Sequence, residues 1–255
     1  MLNIIVTNDD GINSPGLRAL YDNLLAKRHE ITVVAPSSQR SAASRSFTLH
    51  RSYGVRRISP HMTAVDGTPV DCVMLALQGH QRPDIILSGI NHGANIGTDV
   101  EYSGTVGAAF EACLHKIPAL SISLADIDPS PHFVNQCGAL IGEWLEAGLG
   151  SFINPGVVVN VNFPAVSRVE SAPIIVTELA PRGYYDNILA PSPDGALVEV
   201  TQHTSTEPFP PGTDGWGLSL GDITISVLIP QSHIHEYDRA VKEISQWVDQ
   251  WMNRL

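Results

Sequence analysis

The first residues able to do chemistry are Asn8-Asp9-Asp10-Gly11, two adjacent carboxylates directly after the apolar run from Leu2 to Thr7. Neighbouring aspartates on a continuing strand would point to opposite faces. At a turn both can face one pocket, and Gly11 supplies the backbone freedom for that turn. Asp-Asp-Gly alone also fits an ordinary solvated turn. Two other segments tip the balance, Pro36-Ser37-Ser38-Gln39-Arg40-Ser41 and Ser88-Gly89-Ile90-Asn91-His92-Gly93-Ala94-Asn95-Ile96-Gly97. Each follows a β-branched run, so in a parallel sheet all three would deliver carboxylates, hydroxyls and carboxamides to one edge. These are hard oxygen donors of the kind Mg²⁺ and Mn²⁺ prefer.

Tyr102-Ser103-Gly104-Thr105-Val106 precedes a run of small residues with helical character. Free N–H groups and the positive end of a helix at this point would hold a phosphate, with hydroxyls as further donors; a plain Ser or Thr cap is the simpler reading. A metal beside an anion cradle is the combination that hydrolysis of a phosphomonoester needs. Competing chemistries lack their motifs. The chain has no G-x-x-x-x-G-K-[ST] loop, no dinucleotide G-x-G-x-x-G, no Asp-x-Asp-x-Thr and no H-E-x-x-H. His233-x-His235-Glu236 is expected at the surface.

The elements that must position these groups alternate. Apolar strands are expected at Leu2–Thr7, Ile31–Ala35, Asp84–Leu87, Ala119–Leu124, Val157–Val161 and Ile223–Leu228. Helices are expected after Ser14-Pro15, after the Thr68-Pro69-x-Asp71 capping box, and over Gly104–His115 and Phe133–Ala147. This is an α/β pattern, a Rossmann-like, mostly parallel sheet flanked by helices. Ser46 to Val65 reads as a β-excursion outside that rhythm, and 180–222 as a Pro- and Gly-rich loop or hairpin. Tyr237, Ala240, Val241, Ile244, Trp247, Val248, Trp251 and Met252 share one face of a terminal helix. The division expected is a core at 1–165 that carries the site and an extension at 166–255.

With 255 residues, 43% hydrophobic and 16% charged, the chain can bury a large core. A net charge of −11 speaks against wrapping a DNA or RNA duplex. Cys72, Cys113 and Cys137 are widely spaced and read as reduced thiols. No basic leader precedes Leu2, and no apolar run reaches bilayer length, so a soluble cytoplasmic protein without membrane association is expected.

Val6-Thr7-Asn8-Asp9-Asp10-Gly11-Ile12, Gln39-Arg40-Ser41-Ala42, Gly67-Thr68-Pro69-x-Asp71, Ser88-Gly89-Ile90-Asn91-x-Gly93-x-Asn95-Ile96-Gly97 and Tyr102-Ser103-Gly104-Thr105-Val106 together resemble the SurE (survival protein E) family. The motifs span about the first 125 residues, and Asn160-Val161-Asn162-Phe163-Pro164 extends the likeness. The resemblance implies a phosphohydrolase of nucleoside 5′- and 3′-monophosphates, of 5′-nucleotidase type, that also trims short polyphosphate. It implies one divalent ion per subunit, Mg²⁺ or Mn²⁺, held by Asp9, Asp10, Ser41 and Asn91. Asn95, Ser103, Gly104 and Thr105 would contact phosphate, with Asn8 beside the metal, so that Asn8, Asp9, Asp10 and Asn95 form the catalytic group. A homodimer or homotetramer that exchanges C-terminal elements is implied as well. The rival from another class is a nucleotide-binding regulatory module without turnover.

Overall fold

The computed structural model describes residues 1–79, 81–183, 185–191, 198–204 and 207–254. In chain order, β1 (Asn3–Thr7) leads to α1 (Pro15–Ala26), β2 (Glu30–Pro36), β3 (Val55–Ser59), β4 (Met62–Val65) and α2 (Pro69–Gly79). Then come β5 (Ile85–His92), α3 (Gly104–Leu114), β6 (Ala119–Leu124), α4 (Pro131–Glu146), the single turn α5 (Leu149–Phe152) and β7 (Val158–Phe163). The remainder is β8 (Ile174–Thr177), β9 (Tyr185–Pro191), β10 (Val198–Thr204), α6 (Asp214–Leu220), β11 (Ile223–Leu228) and α7 (Tyr237–Met252).

One nine-stranded sheet runs β3-β4-β2-β1-β5-β6-β7-β11-β8. Its centre, from β2 to β7, is parallel. β1 lies between β2 and β5, so the chain first winds outward from β1 to β2 and later returns to its other side. That is the topological switch point, where α/β sheets open a crevice at the carboxyl ends of their strands. The burial of β1 beyond Asn3 and of all of β6 and β7 follows from helices covering both faces. Leu17, Leu20 and Leu24 of α1 and Ile141 and Trp144 of α4 fill one side; Cys72 and Val73 of α2 and Val106 and Phe110 of α3 fill the other.

Two segments differ from the sequence expectation, and the 180–222 stretch meets it with a hairpin-like strand pair. The second half of Ser46–Val65 joins the main sheet instead of standing apart: β4 pairs parallel with β2, and β3 turns back along it as the edge strand. Its weak alternation reflects that edge position, where β3 is almost wholly exposed. The 180–222 stretch carries the antiparallel pair β9 and β10, and 192–197 between them lie outside the described residues. Finally, 214–220 is a helix rather than loop; its two glycines and single serine hide any helical pattern, and Asp214 and Leu218 are buried. β8 and β11 extend the same sheet as the amino-terminal strands, with β11 antiparallel to β7.

The last helix, α7, packs on its own chain. Ala240, Ile244, Trp247 and Val248 are buried, and Trp247 meets Trp144 edge to face at 5.2 Å. Trp251 also reaches Trp144, at 6.4 Å. All three cysteines are buried free thiols, and burial raises the pKa of each. Among the described residues no helix is long and apolar enough to cross a membrane.

Candidate active site

The crevice forms where β1, β2 and β5 end. Asp9 and Asp10 follow β1 at a turn made by Gly11 at φ +100°. A Cβ on Gly11 would lie 3.2 Å from the Ser38 backbone, so the turn presses directly on the segment after β2. Asn8 holds the turn from within: its Nδ2 donates to the Gly11 carbonyl at 3.0 Å and to Ser14 Oγ at 2.7 Å, while its Oδ1 accepts from the Gly11 N–H at 3.2 Å. With its carboxamide so engaged, Asn8 acts here as a brace for the aspartates and for the start of α1.

Asp9 is buried and faces the start of α3. Thr105 donates its hydroxyl to Asp9 Oδ1, and a Cβ on Gly104 would come within 2.9 Å of Asp9 Cβ and 3.0 Å of Oδ2. Asp10 is half-buried and turned toward β5, where its Oδ2 accepts the His92 backbone N–H at 3.4 Å. Burial drives the Asp9 carboxyl up to about 6, against the Thr105 hydrogen bond and with the Asp10 charge adding to the rise. Burial also raises Asp10, opposed by the His92 N–H. Neither carboxylate forms an ion pair among the described residues. Buried anions without cationic partners are costly unless something positive arrives.

The loop after β2 is fastened to both neighbours. The Arg40 N–H donates to the Asp9 carbonyl at 2.7 Å, and Ser44 donates through its N–H to Tyr102 O at 3.0 Å and through Oγ to Glu101 O at 2.6 Å. Arg45 stacks over the Phe110 ring at 3.7 Å. Ala42 and Ser44 hold left-handed backbones, φ 55° and 51°, the kind of strain that clusters at functional loops. Ser41 is exposed on this loop, its Oγ accepting from Gln39 Nε2 at 2.9 Å. On the β5 side, Asn91 donates Nδ2 to Gly93 O at 2.7 Å, which directs its other polar atom, Oδ1, elsewhere.

Asp9, Asp10, Ser41 and Asn91 therefore offer carboxylate, hydroxyl and amide oxygen. No group of three or more His, Cys, Asp or Glu side chains suited to a metal occurs among the described residues. The donor set is one for a hard cation, not for zinc.

Ser103 caps α3, its Oγ accepting from the Val106 N–H at 3.1 Å. Thr105 is committed to Asp9, so the features left to face an anion are the backbone N–H groups of the first turn. Asn95 takes an unexpected position. Its Nδ2 donates to Ser123 Oγ at 2.7 Å, and its backbone is gripped by Asn162 and Asn160, from 2.8 to 3.0 Å. Asn160 and Asn162 are thus the reason for two carboxamides in the buried β7. The alternation Asn-Val-Asn in an otherwise apolar strand was the signal for such a brace. Asp214 was not foreseen. Fully buried, it accepts from Gly97 N–H and Ala180 N–H, both at 2.9 Å, tying the Asn91–Gly97 loop to the segment that enters β9. His92 was also passed over. It lines a cleft of about 380 Å³ on the Asp10 side, and its buried Nε2 has no partner among the described residues. The two histidines near α7 lie apart from these elements, with His235 exposed beside Glu236 at 3.5 Å.

Known proteins are similar to this chain in sequence and in fold. The 5′-nucleotidase SurE of Pelobacter propionicus is 42% identical over 190 residues, covering 74% of this chain and 76% of that protein. The 5′-nucleotidase SurE of Thermosynechococcus vestitus is 34% identical across 97% of both chains. The crystal structure of the SurE protein from Aquifex aeolicus superposes with a TM-score of 0.78 at 28% identity, covering 95% of this chain and 99% of that one. The family model for survival protein SurE matches residues 4–186, and the chain belongs to that family.

Proposed function

We propose that the protein is a metal-dependent phosphohydrolase of nucleoside 5′- and 3′-monophosphates. The observation that carries this reading is the contact of Asp9 with the first turn of α3, through Thr105 Oγ1 and the Gly104 backbone. It sets the Asp9 carboxylate against a helix N-terminus, with Asp10 next to it in the chain, and neither carboxylate has an ion-pair partner among the described residues. Relatives named 5′-nucleotidase SurE support the same activity.

The residues fit a divalent cation. Asp9, Asp10, Ser41 and Asn91 would hold Mg²⁺ or Mn²⁺, and the ion would supply Lewis-acid charge against the phosphoryl oxygens. The chain's own groups do the rest. The N–H groups at the start of α3 and its dipole hold the phosphoryl oxygens, where the two aspartates alone would repel them. Thr105 fixes the Asp9 carboxylate through Oδ1 and leaves Oδ2 toward the helix start. Asn8 sets the turn, and Gln39 holds the Ser41 hydroxyl. Short polyphosphate, whose terminal group is chemically alike, is a second substrate in this reading.

Purified protein with AMP and Mn²⁺, with and without EDTA, provides the test. Metal-dependent release of phosphate is expected; AMP binding with no release would leave a nucleotide-binding module instead. We further propose, from the family resemblance, a homodimer or homotetramer that exchanges carboxy-terminal elements, in which the contact that α7 makes with Trp144 of its own chain would be made between subunits. Light scattering of the full chain and of a chain ending before His235 should give different subunit numbers. Equal masses per particle, corrected for the deletion, would exclude exchange through α7.

A further inference from the structure

Asn91 and the start of α3 belong to one stretch of chain, and the segment between them sets their separation. The first half of that segment is fastened by the sheet. The Gly93 N–H donates to the Leu124 carbonyl at 3.0 Å, and Asn95 is gripped by Asn160 and Asn162 of β7. The second half is the short 3-10 turn Gly97–Glu101, which runs through Tyr102 into α3. Its entry is held by the carboxy-terminal extension and not by the parallel strands.

Asp214, the first residue of α6 and fully buried, makes that hold. Its Oδ2 accepts the Gly97 N–H at 2.9 Å, while its Oδ1 accepts the N–H groups of Ala180 at 2.9 Å and Gly215 at 2.8 Å. Gly97 has a left-handed φ of +50°, and a Cβ on it would fall 1.8 Å from the Arg182 carbonyl oxygen, so the extension lies directly against the turn. Leu218, one turn further along α6, packs with Ala94 and Ile96 just ahead of Gly97. Three main-chain donors and no cation meet this carboxylate among the described residues. Burial raises its pKa, and the three N–H groups oppose the rise. A buried charge of this kind is costly to fold around. An amide of the same shape cannot replace it, because its NH₂ would face an N–H. The joint between the two halves of the site thus requires an anion.

Resting on the phosphohydrolase reading, we propose that Asp214 is a positioning residue for the reaction, fixing through the Gly97 N–H the distance between Asn91 and the start of α3. It touches neither substrate nor cation. It keeps the donor loop and the anion cradle in register, and its loss is felt in turnover more than in the binding of AMP.

Asp214→Asn keeps the shape and turns a donor against one of the three N–H groups. It is compared with wild type at a temperature where circular dichroism shows both fully folded. With saturating Mn²⁺ its kcat for AMP should fall about tenfold to a hundredfold, the scale of a misplacement near 1 Å. Its KM should stay within about threefold of wild type. Without substrate, calorimetric titration should show Mn²⁺ bound about three- to tenfold more weakly, because Asn91 is less firmly placed. Leu24→Ala opens a cavity at the far end of α1 and controls for lost stability; its kcat should stay within about twofold of wild type. An unchanged kcat in Asp214→Asn, or an equal loss in Leu24→Ala, would overturn the positioning role and leave Asp214 a structural brace. Should the amide variant not fold, Asp214→Ser takes its place; failure of both to fold would make Asp214 structural and overturn the proposal. Wild-type protein that releases no phosphate from AMP would remove the phosphohydrolase reading instead. The Mn²⁺ titration then decides alone, and an unchanged affinity in Asp214→Asn would overturn the placing of Asn91 by Asp214.

Discussion

Two carboxylates held at one strand end lose water and repel each other, and the fold supplies only hydroxyl and amide dipoles to compensate. Asp9 is the extreme case, buried and served chiefly by Thr105. Sites of this kind trade stability for function. Asp9→Asn should therefore lower kcat for AMP by about a hundredfold or more, the scale of losing a principal electrostatic group. The same variant should raise the stability of EDTA-treated protein by about 1–3 kcal/mol at neutral pH, because a buried unpaired charge is removed. Urea denaturation of the two proteins checks the second half; a destabilised variant would mean that Asp9 is structural.

At the scale of elements, α3 has to sit against β1 with nothing between them. Gly104→Ala would place a methyl group 2.9 Å from Asp9 Cβ and 3.2 Å from Pro69 Cγ. Alanine favours the helix by about 1 kcal/mol over glycine, so the fold should survive. Displacing Asp9 by a fraction of an ångström should cost about tenfold to a hundredfold in kcat, measured with AMP and Mn²⁺. A second helix start, that of α2, carries a pH dependence. Burial raises the Asp71 carboxyl, yet donors from Thr48 and Thr68 outweigh it and hold the group below the usual carboxylate range. Three of those hydrogen bonds measure 2.7 to 2.8 Å. A depressed folded pKa gives stability that is present above the unfolded value near 4 and lost as pH falls through the folded one. Asp71→Asn should thus cost about 1–3 kcal/mol at pH 7, and the gap to wild type should narrow below about pH 4 in parallel urea titrations.

Much at this scale could be read from residue order. β1, the Thr68–Asp71 capping box and the Ser103 cap announce themselves because apolar runs and caps are local signals. The strand-end rule then collected the segments 8–11, 36–41 and 88–97 on one edge, and the family resemblance singled out Asp9, Asp10, Ser41 and Asn91 among them. Long-range facts carry no such mark. Nothing near Asp214 in the chain says that it will accept the Gly97 N–H, 117 residues away. The sense of the Asn95 side chain depends on Ser123, and His92 becomes notable only once the cleft beside it exists. Helix α6 escaped because two glycines and a serine interrupt its short run, and tertiary burial of Leu218 overrides that weak propensity.

At the scale of the molecule, one sheet serves both ends of the chain, and α7 closes it. Trp247 is among the largest side chains fully hidden from solvent. Trp247→Ala should cost about 3–5 kcal/mol in urea denaturation, the range for emptying an aromatic site in a core. A smaller loss would mean that α7 docks loosely on its own subunit. The same packing has a practical side. Of the four tryptophans in the chain, Trp144, Trp247 and Trp251 sit within one cluster, with Trp247 and Trp251 stacked at 6.0 Å. Rings this close couple optically, so near-ultraviolet circular dichroism and indole emission are dominated by the seating of the final helix. The protein thus carries a built-in gauge of its own closure, readable without any label while subunits are mixed, diluted or unfolded.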